Sequence, residues 1–298
     1  MKAKTKTKSK WKRNDMIGWL VMLPTLVLFA FFVWEPLIEN VRLSFCTAQR
    51  YEITGFAGFD NYQKVLTNPN FMAAFKNTFA YIGWSLVIGF FVPIILGILI
   101  SETVHFKGFF RTGIYFPNIV PGLATVWIWS YFFTPGKTGV LNILLSKFGV
   151  DPLPWLTNPK WTIPLIVIAL TWKGAGSTAL IYMANISGIS PELYEAATID
   201  GAGIWKRIRH ITLPSIGGIT KTMLILQIIS VFQILYEPMV MTNGGPNNAS
   251  ISLMMLMYQY AFRDYNFPGA AALSVMICII LILLSGLYLW LTNRKQED

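Results

Sequence analysis

The sequence predicts an all-α membrane protein with six transmembrane helices, and three observations carry this prediction. Of the 298 residues, 54% are hydrophobic and only 13% are charged, whereas charged residues make up about a quarter of a typical soluble domain. The mean hydropathy is +0.51. The apolar residues also fall in blocks of about 20, which is the length that a helix needs to cross the hydrocarbon core of a bilayer.

Six blocks are long and apolar enough to be spans. The predicted spans are residues 16–34, 79–100, 113–133, 161–187, 219–241 and 270–291. The first block follows a lysine-rich start, but it is too long for the apolar core of a signal peptide and no small-residue cleavage site follows it. We therefore interpret it as a retained helix. Pro117 and Pro121 predict a bend in the third span.

The positions of Lys and Arg predict the orientation. If the amino terminus lies inside, the cytoplasmic segments 1–15, 101–112, 188–218 and 292–298 contain 14 of these residues and the outer segments contain 8. Lys and Arg are enriched in cytoplasmic loops. We therefore expect both termini in the cytoplasm, with a basic segment at 1–15 followed by a single membrane domain at 16–298.

The sequence disfavours nucleic-acid binding, a disulfide framework or zinc site, and nucleotide binding through a P-loop. The net charge is +10, but seven of the 24 Lys and Arg residues lie before the first apolar block. That clustering is a topology signal, and it predicts no nucleic-acid partner. There are two cysteines, Cys46 and Cys278, which lie far apart in sequence, and Cys278 falls inside an apolar block, so neither a disulfide framework nor a zinc site is indicated. The GKT sequence at 136–138 lacks the glycine that a P-loop needs five positions earlier, where Tyr131 stands.

The segment at 190–214, on the predicted cytoplasmic side, predicts two short helices joined by a turn. Ser190 and Pro191 are typical of a helix start, and Gly201 supplies the backbone freedom to end that helix. A second helix is expected over 204–211, with Pro214 stopping it. This loop has two interpretations: an amphipathic segment whose basic face meets anionic lipid headgroups, or an element that docks a partner protein through its small residues.

The sequence EAATIDGAGIWKRIRHITLP, which ends at Pro214, resembles the EAA loop of permease subunits in binding-protein-dependent ABC importers. The residues at the family's typical positions, which would dock the ATPase, are Glu195, Ala196, Ala197, Asp200, Gly201, Ala202, Leu213 and Pro214. Residues 23–45, 56–62, 109–129 and 235–248 resemble the sugar-importing branch, of the maltose and glycerol-phosphate type. Ile208 stands where many members carry phenylalanine.

The resemblance covers nearly the whole chain and implies the MetI-like permease fold of type I ABC importers. It implies a second homologous permease subunit, two ATPase subunits that bind ATP and Mg, an extracytoplasmic solute-binding protein, and a carbohydrate substrate. The expected location is the cytoplasmic membrane of a bacterium or archaeon, in contact with membrane lipid. This chain is expected to bind no cofactor and to hydrolyse no ATP itself.

Polar residues inside the fourth and fifth spans are candidates for the solute pathway, because such residues are costly in lipid and tend to face an interior or a water-filled path. Sugars present polar edges and apolar faces, and in relatives the helices beside the EAA loop contact the solute. The candidates are Thr171, Trp172, Lys173, Ser177, Gln227, Ser230, Gln233, Tyr236 and Glu237. The alternative is that they hold the helices together or, for Lys173 and Glu237, that the side chains extend toward the outer headgroups.

Two other function classes remain as alternatives to an ATP-driven importer. In an ion- or proton-coupled secondary transporter, Lys173 and Glu237 could form a relay. A membrane-embedded enzyme is disfavoured, because His105 and His210 both fall in short cytoplasmic segments and no catalytic constellation converges within the spans.

Overall fold

The computed structural model describes residues 8–49, 52–103 and 105–293. The first seven residues of the predicted basic amino terminus, and the last five residues of the chain, lie outside these ranges. The described residues form α-helices, interrupted in places by π-helical turns, and one two-stranded sheet. Sixteen α-helices, α1 to α16, are numbered below in chain order.

Four helical segments of the described chain are long and apolar enough to cross a membrane: Met16–Ser44, Phe71–Glu102, Thr162–Ser187 and Phe267–Thr292. A fifth is obtained if the pair Ile204–Ser215 and Gly217–Phe232, bent by 66°, counts as one span. The predicted first, second, fourth and sixth spans therefore have continuous helical counterparts, whereas the third and fifth do not.

The first helical segment is longer than predicted. Helix α1 (Lys8–Phe29) continues through a π-helical turn (Ala30–Trp34) into α2 (Glu35–Ser44). The prediction ended the helix at residue 34, but the helix continues past Pro36, because the π-helical turn just before it is a local adjustment that accommodates a residue without an N–H. From Met16 to Trp34 every side chain is exposed, and α2 makes the contact with the rest of the protein, including a 2.7 Å hydrogen bond from Asn40 Nδ2 to Ser274 Oγ.

A small outer structure follows α2. Strands β1 (Cys46–Gln49) and β2 (Glu52–Phe56) pair antiparallel, with Cys46 opposite Phe56. Helix α3 (Asp60–Leu66) comes next. The buried Asn61 on α3 donates hydrogen bonds to the carbonyl oxygens of Ser44 (3.0 Å) and Cys46 (2.8 Å). Asn61 thus fixes the hairpin to the end of α2.

The second span begins at residue 71 instead of 79. Helix α4 (Phe71–Trp84) passes through a π-helical turn (Ser85–Gly89) into α5 (Phe91–Glu102). Its first turns carry Phe71, Ala74 and Thr78, which recur on one face and are buried. Burial of this face stabilises the helix beyond the apolar block from which the span was predicted.

The third predicted span, 113–133, in which a bend was predicted, is broken into two helices. It forms α6 (Lys107–Ile119) and α7 (Gly122–Phe132). Val120 has an extended conformation (ψ 129°) because the residue before a proline is disfavoured in the helical region. Pro117, by contrast, lies inside α6, so of the two prolines it is Pro121 that coincides with the break.

Helix α9 (Thr162–Ser187), which follows α8 (Val140–Ser146), is the central helix. Its apolar residues are spread around the helix instead of forming one stripe, as expected of a helix packed on several neighbours. Gly176 allows α6 to approach closely: a Cβ at this position would lie 1.8 Å from the carbonyl oxygen of Ile114. On α5, a Cβ at Gly97 would lie 2.8 Å from Tyr182 Cβ of α9. Glycine is therefore required at both helix contacts.

The segment that resembles the EAA loop is helical, with one correction. It contains α10 (Pro191–Ile199), α11 (Ile204–Arg207), a π-helical turn (Ile208–Thr212) and α12 (Leu213–Ser215), followed by α13 (Gly217–Phe232). Pro214 does not stop the second helix as predicted. It follows the π-helical turn within the continuous helix Ile204–Ser215, where such a local adjustment accommodates a residue without an N–H, and the direction of the chain changes at Ile216.

The fifth predicted span, 219–241, is also interrupted. Helix α13 ends at Phe232, and α14 (Tyr236–Thr242) begins after three non-helical residues. Helix α15 (Leu253–Tyr258) and a π-helical turn (Gln259–Arg263) lead to α16 (Phe267–Asn293). One apolar cluster packs α4, α15 and α16 together, a second surrounds the first half of α9, and a third joins α5 to the second half of α9.

Candidate functional site: a polar cavity and an exposed helical loop

A cavity of about 620 Å³ lies between α5, α6, α9, α13 and α14. Seven of the nine residues predicted for a solute pathway line it. These are Thr171, Lys173, Gln227, Ser230, Gln233, Tyr236 and Glu237. Residues far apart in sequence thus meet around one space, and most of the remaining lining is apolar.

Two interruptions of helical structure border this cavity. Asn118, near the end of α6, lines it just before the break at Val120 and Pro121, and the non-helical residues 233–235 line it between α13 and α14. Non-helical backbone at membrane depth is tolerated only where protein or water can satisfy its polar groups. The position of both breaks beside the cavity therefore agrees with a space that admits polar groups.

Each of the two charged side chains in the cavity lies near a helix end. Lys173 Nζ donates a hydrogen bond to the Val120 carbonyl oxygen, just beyond the end of α6, where the negative end of the helix dipole favours a cation. Glu237 lies in the first turn of α14, where the positive end favours a carboxylate. Among the described residues, no ion pair within 4.0 Å joins Lys173 to Glu237. The geometry of the described chain thus shows none of the direct contact between the two charges that a relay between them would require.

Gln227 is held by the second span. Its Nε2 donates to Ser85 Oγ (2.6 Å) and to the Ser85 carbonyl oxygen (2.9 Å), within the π-helical turn. A Cβ at Gly89 would lie 2.9 Å from Gln227 Nε2 and 3.1 Å from Thr171 Oγ1. Gly89 therefore leaves room for this polar contact between three helices. The arrangement matches the alternative interpretation, in which Gln227 holds helices together.

Trp172 and Ser177 do not line the cavity. The Trp172 ring packs edge-on against Trp129 at a centroid distance of 5.9 Å, and Ser177 Oγ donates to the Gly174 carbonyl oxygen at 2.9 Å. Sequence reasoning in turn missed Ser85 and Asn118, which do line the cavity. Both are polar residues inside predicted spans, so the criterion used for spans four and five would have found them in spans two and three.

The exposed helical loop, α10 to α12, owes its turn to Gly201. The N–H of Gly201 donates to the Thr198 carbonyl (3.0 Å) and the N–H of Ala202 to the Ala197 carbonyl (2.8 Å), which is a Schellman motif. This motif requires a left-handed residue, and Gly201 has a φ of +74°. Ser190 occupies the N-cap position as predicted, but its side chain makes no capping hydrogen bond to α10.

Most of the residues that resemble the EAA motif lie on the surface of this loop. Those exposed are Glu195, Ala196, Asp200, Gly201, Leu213 and Pro214, while Ala197 and Ala202 are half-buried. Two large apolar side chains extend beside them: Ile199 is 87% exposed and Trp205 is 80% exposed. Exposed apolar groups gathered on a projecting element are typical of a protein contact.

The loop is attached to the helices around the cavity. Tyr194 and Thr212 share a hydrogen bond between their hydroxyl groups (2.9 Å), which joins α10 to the π-helical turn. Ile208 packs against a buried cluster that includes Ile98 of α5 and Tyr182 of α9. The two sides of the loop are thus connected to each other and to two helices that reach the cavity.

Comparisons with known proteins agree with this architecture. The family model described as binding-protein-dependent transport system inner membrane component matches residues 89–297. The chain is 31% identical to a probable ABC transporter permease protein of Pyrococcus horikoshii, covering 93% of this chain and 96% of that one. It is 31% identical to the arabinooligosaccharides transport system permease protein AraP of Bacillus subtilis, covering 94% and 90%.

A solved structure shares the fold. The crystal structure of a bacterial alginate ABC transporter, in complex with an alginate pentasaccharide-bound periplasmic protein, contains a chain with a TM-score of 0.84 and 27% identity. The match covers 96% of this chain and 98% of that one.

The fold and the family match define a permease of a binding-protein-dependent transporter. The chain belongs to the family of inner membrane components of binding-protein-dependent transport systems, with the all-helical MetI-like fold. It is a permease subunit of an ABC importer and not an enzyme, since in such importers separate subunits hydrolyse ATP. The resemblance identified from the sequence is confirmed. The ion-coupled alternative receives no support.

Proposed function

We propose that this chain forms part of the path by which a carbohydrate crosses the cytoplasmic membrane of a bacterium or archaeon, and that the cavity is a solute site on that path. The observation that carries the proposal is the meeting of two interrupted segments at one polar cavity. The names of the relatives support the substrate class, since AraP is a permease for arabinooligosaccharides. The alginate transporter supports the same class.

The cavity offers the chemistry that a sugar requires. Tyr236 is 60% exposed and supplies a ring for the apolar face of a pyranose. Gln233, Ser230 and Asn118 supply donors and acceptors for hydroxyl groups. Gln227 and Lys173 are already engaged by Ser85 and Val120. We therefore assign the direct sugar contacts to Tyr236, Gln233, Ser230 and Asn118.

The proposed topology has six spans in one membrane domain, residues 16–298, with both termini in the cytoplasm. Helices α6 and α7 together form an interrupted third span, and α13 with α14 forms an interrupted fifth span. With the amino terminus in the cytoplasm, the chain returns to the cytoplasmic side after the fourth span, α9. The loop at 190–214, which joins α9 to α13, then lies on the cytoplasmic side. The outer segments, including the β1–β2 hairpin, then face the extracytoplasmic solute-binding protein.

The proposed assembly pairs this chain with a second homologous permease and two ATPase subunits in the lipid bilayer. The ATPases bind ATP and Mg, and this chain binds no cofactor. Glu195, Gly201 and the exposed residues Ile199 and Trp205 form the docking surface for one ATPase. Closure of the ATPases on ATP moves this surface, and the attached helices change access to the cavity.

Substitution of the cavity residues tests the solute site. We expect Tyr236→Ala and Gln233→Ala each to lower the maximal uptake rate of the transported sugar about tenfold, the effect of losing roughly 1.4 kcal/mol of transition-state interaction. Uptake is measured in lipid vesicles that contain the complete transporter, with saturating binding protein. Tyr131→Ala is the matched control, because Tyr131 is 62% exposed and lies on α7 outside the cavity lining. Unchanged uptake in a Tyr236→Ala/Gln233→Ala/Ser230→Ala variant would contradict the proposal.

A further inference from the structure

We propose that Arg207, Glu102 and Thr198 form a latch, and that this latch transmits movement of the helical loop to the cavity. The proposal rests on the proposed function, because it assumes that the loop is moved by an ATPase. Arg207 and Glu102 lie outside the positions that resemble the EAA motif. Both act as positioning residues and neither touches the solute.

The Arg207 guanidinium group bridges three elements of the structure. Its Nη1 donates to Thr198 Oγ1 on α10 at 3.3 Å, and its Nη2 lies 3.9 Å from Glu102 Oε2 at the end of α5. The two side chains of the ion pair are only 26% and 27% exposed. A pair at this depth is screened less by water and salt than a pair on the surface. A displacement of α10 therefore reaches α5 through one side chain.

The location of Glu102 argues against a merely local role. It is the last residue of α5, where the negative end of the helix dipole disfavours a carboxylate. Lys107 Nζ lies 3.4 Å from the Ser101 carbonyl oxygen, as expected for a cation at this end of a helix. The positive charge of Arg207 offsets this unfavourable position of the Glu102 carboxylate. The ion pair therefore links α5 to α11, although Glu102 itself destabilises the end of α5.

The latch has a direct path to the solute site. Pro93, on the same helix as Glu102, lines the cavity. The two residues are nine positions apart, which corresponds to roughly 14 Å of helix at 1.5 Å per residue. Ile208, the residue after Arg207, packs against the buried cluster that contains Ile94 and Ile98 of α5. Helix α5 thus meets Arg207 at Glu102, contributes to this apolar cluster along its length, and borders the cavity at Pro93.

The experiment uses the complete transporter in lipid vesicles with its binding protein and a sugar that the unmodified complex imports. It measures sugar imported and ATP hydrolysed in the same sample. In Arg207→Gln and in Glu102→Gln, we expect the ATPases to remain bound and to hydrolyse ATP, while the sugar imported per ATP falls about fivefold, as for a lost allosteric coupling. Arg207→Lys should keep at least half of the normal ratio.

The charge-swapped pair is the decisive variant. Glu102→Arg/Arg207→Glu should restore the ratio to within about twofold of normal, because neighbouring residues that interact give non-additive effects. Arg111→Gln, an exposed arginine on α6, is the matched control and should leave the ratio unchanged.

Three results would overturn the latch: a normal ratio in both single variants, no rescue by the swap, or loss of the ATPase subunits, which would make Arg207 a docking residue. Failure of the unmodified complex to import any sugar would instead contradict the proposed function, and the latch with it.

Discussion

Replacing Gly201 with valine is expected to abolish sugar uptake while leaving the chain in the membrane. Gly201 has a φ of +74°, a conformation that costs a β-branched residue about 1–3 kcal/mol. No atom lies within 4 Å of a Cβ built at this position, so the effect comes from the backbone alone. The strained turn would break the two Schellman hydrogen bonds and rotate α10 relative to α11, and the ATPase would lose its docking surface.

The measurement is co-purification of the ATPase with each variant, together with uptake in vesicles. Gly201→Asn is the matched control, because asparagine tolerates the left-handed region, and we expect it to keep most of the activity. If Gly201→Val retained both the ATPase and normal uptake, the turn would have no role in coupling. An equal loss in Gly201→Asn would show that the side chain, and not the backbone, is responsible.

Replacing Gly176 with alanine is expected to cause the largest loss of stability of any single methyl addition in the membrane core. The new Cβ would lie 1.8 Å from the carbonyl oxygen of Ile114, and this atom is backbone, so it cannot rotate away. Helix α6 would have to move away from α9. Overpacking of this kind costs about 1–3 kcal/mol or more, and the shift would also widen the cavity at Asn118.

Thermal unfolding of the purified complex in detergent measures the effect, which should lower the midpoint by several degrees. Gly113→Ala is the control, because Gly113 is on the facing helix α6 and a Cβ there would meet nothing within 4 Å. Equal midpoints for Gly176→Ala and Gly113→Ala would mean that the α6–α9 contact is looser than described.

The sequence was sufficient to identify the membrane class, the helical loop and most of the polar residues that line the cavity. Apolar blocks predict spans because a bilayer requires them, and Gly201 predicts a turn because few other residues adopt its conformation. Seven of the nine pathway candidates meet at one cavity because lipid penalises exposed polar groups whatever the fold.

Most features of the site that were not predicted from the sequence depend on contacts between distant segments. The helical period does not show that Gln227 would be held by Ser85, or that Trp172 would pack on Trp129. The break between α13 and α14 was missed for another reason: its sequence signal, Pro238, lies after the break, four residues beyond the Ile234 carbonyl to which it cannot donate. The hydroxyl of Ser252 donates to the Ile234 carbonyl at 2.6 Å. This tertiary contact supplies a partner that the helix cannot provide, because Pro238 has no N–H.

The energy source of uptake tests the central claim, that this chain is the permease of an ATP-driven carbohydrate importer, most directly. The chain is purified in mild detergent with its partners, placed in lipid vesicles, and supplied with binding protein and labelled oligosaccharides. We expect a P-loop ATPase and a second permease to co-purify and to be lost in Glu195→Lys. Uptake should require ATP and Mg on the cytoplasmic side and should persist when an uncoupler abolishes ion gradients. Uptake without ATP that collapses with the uncoupler would contradict the account.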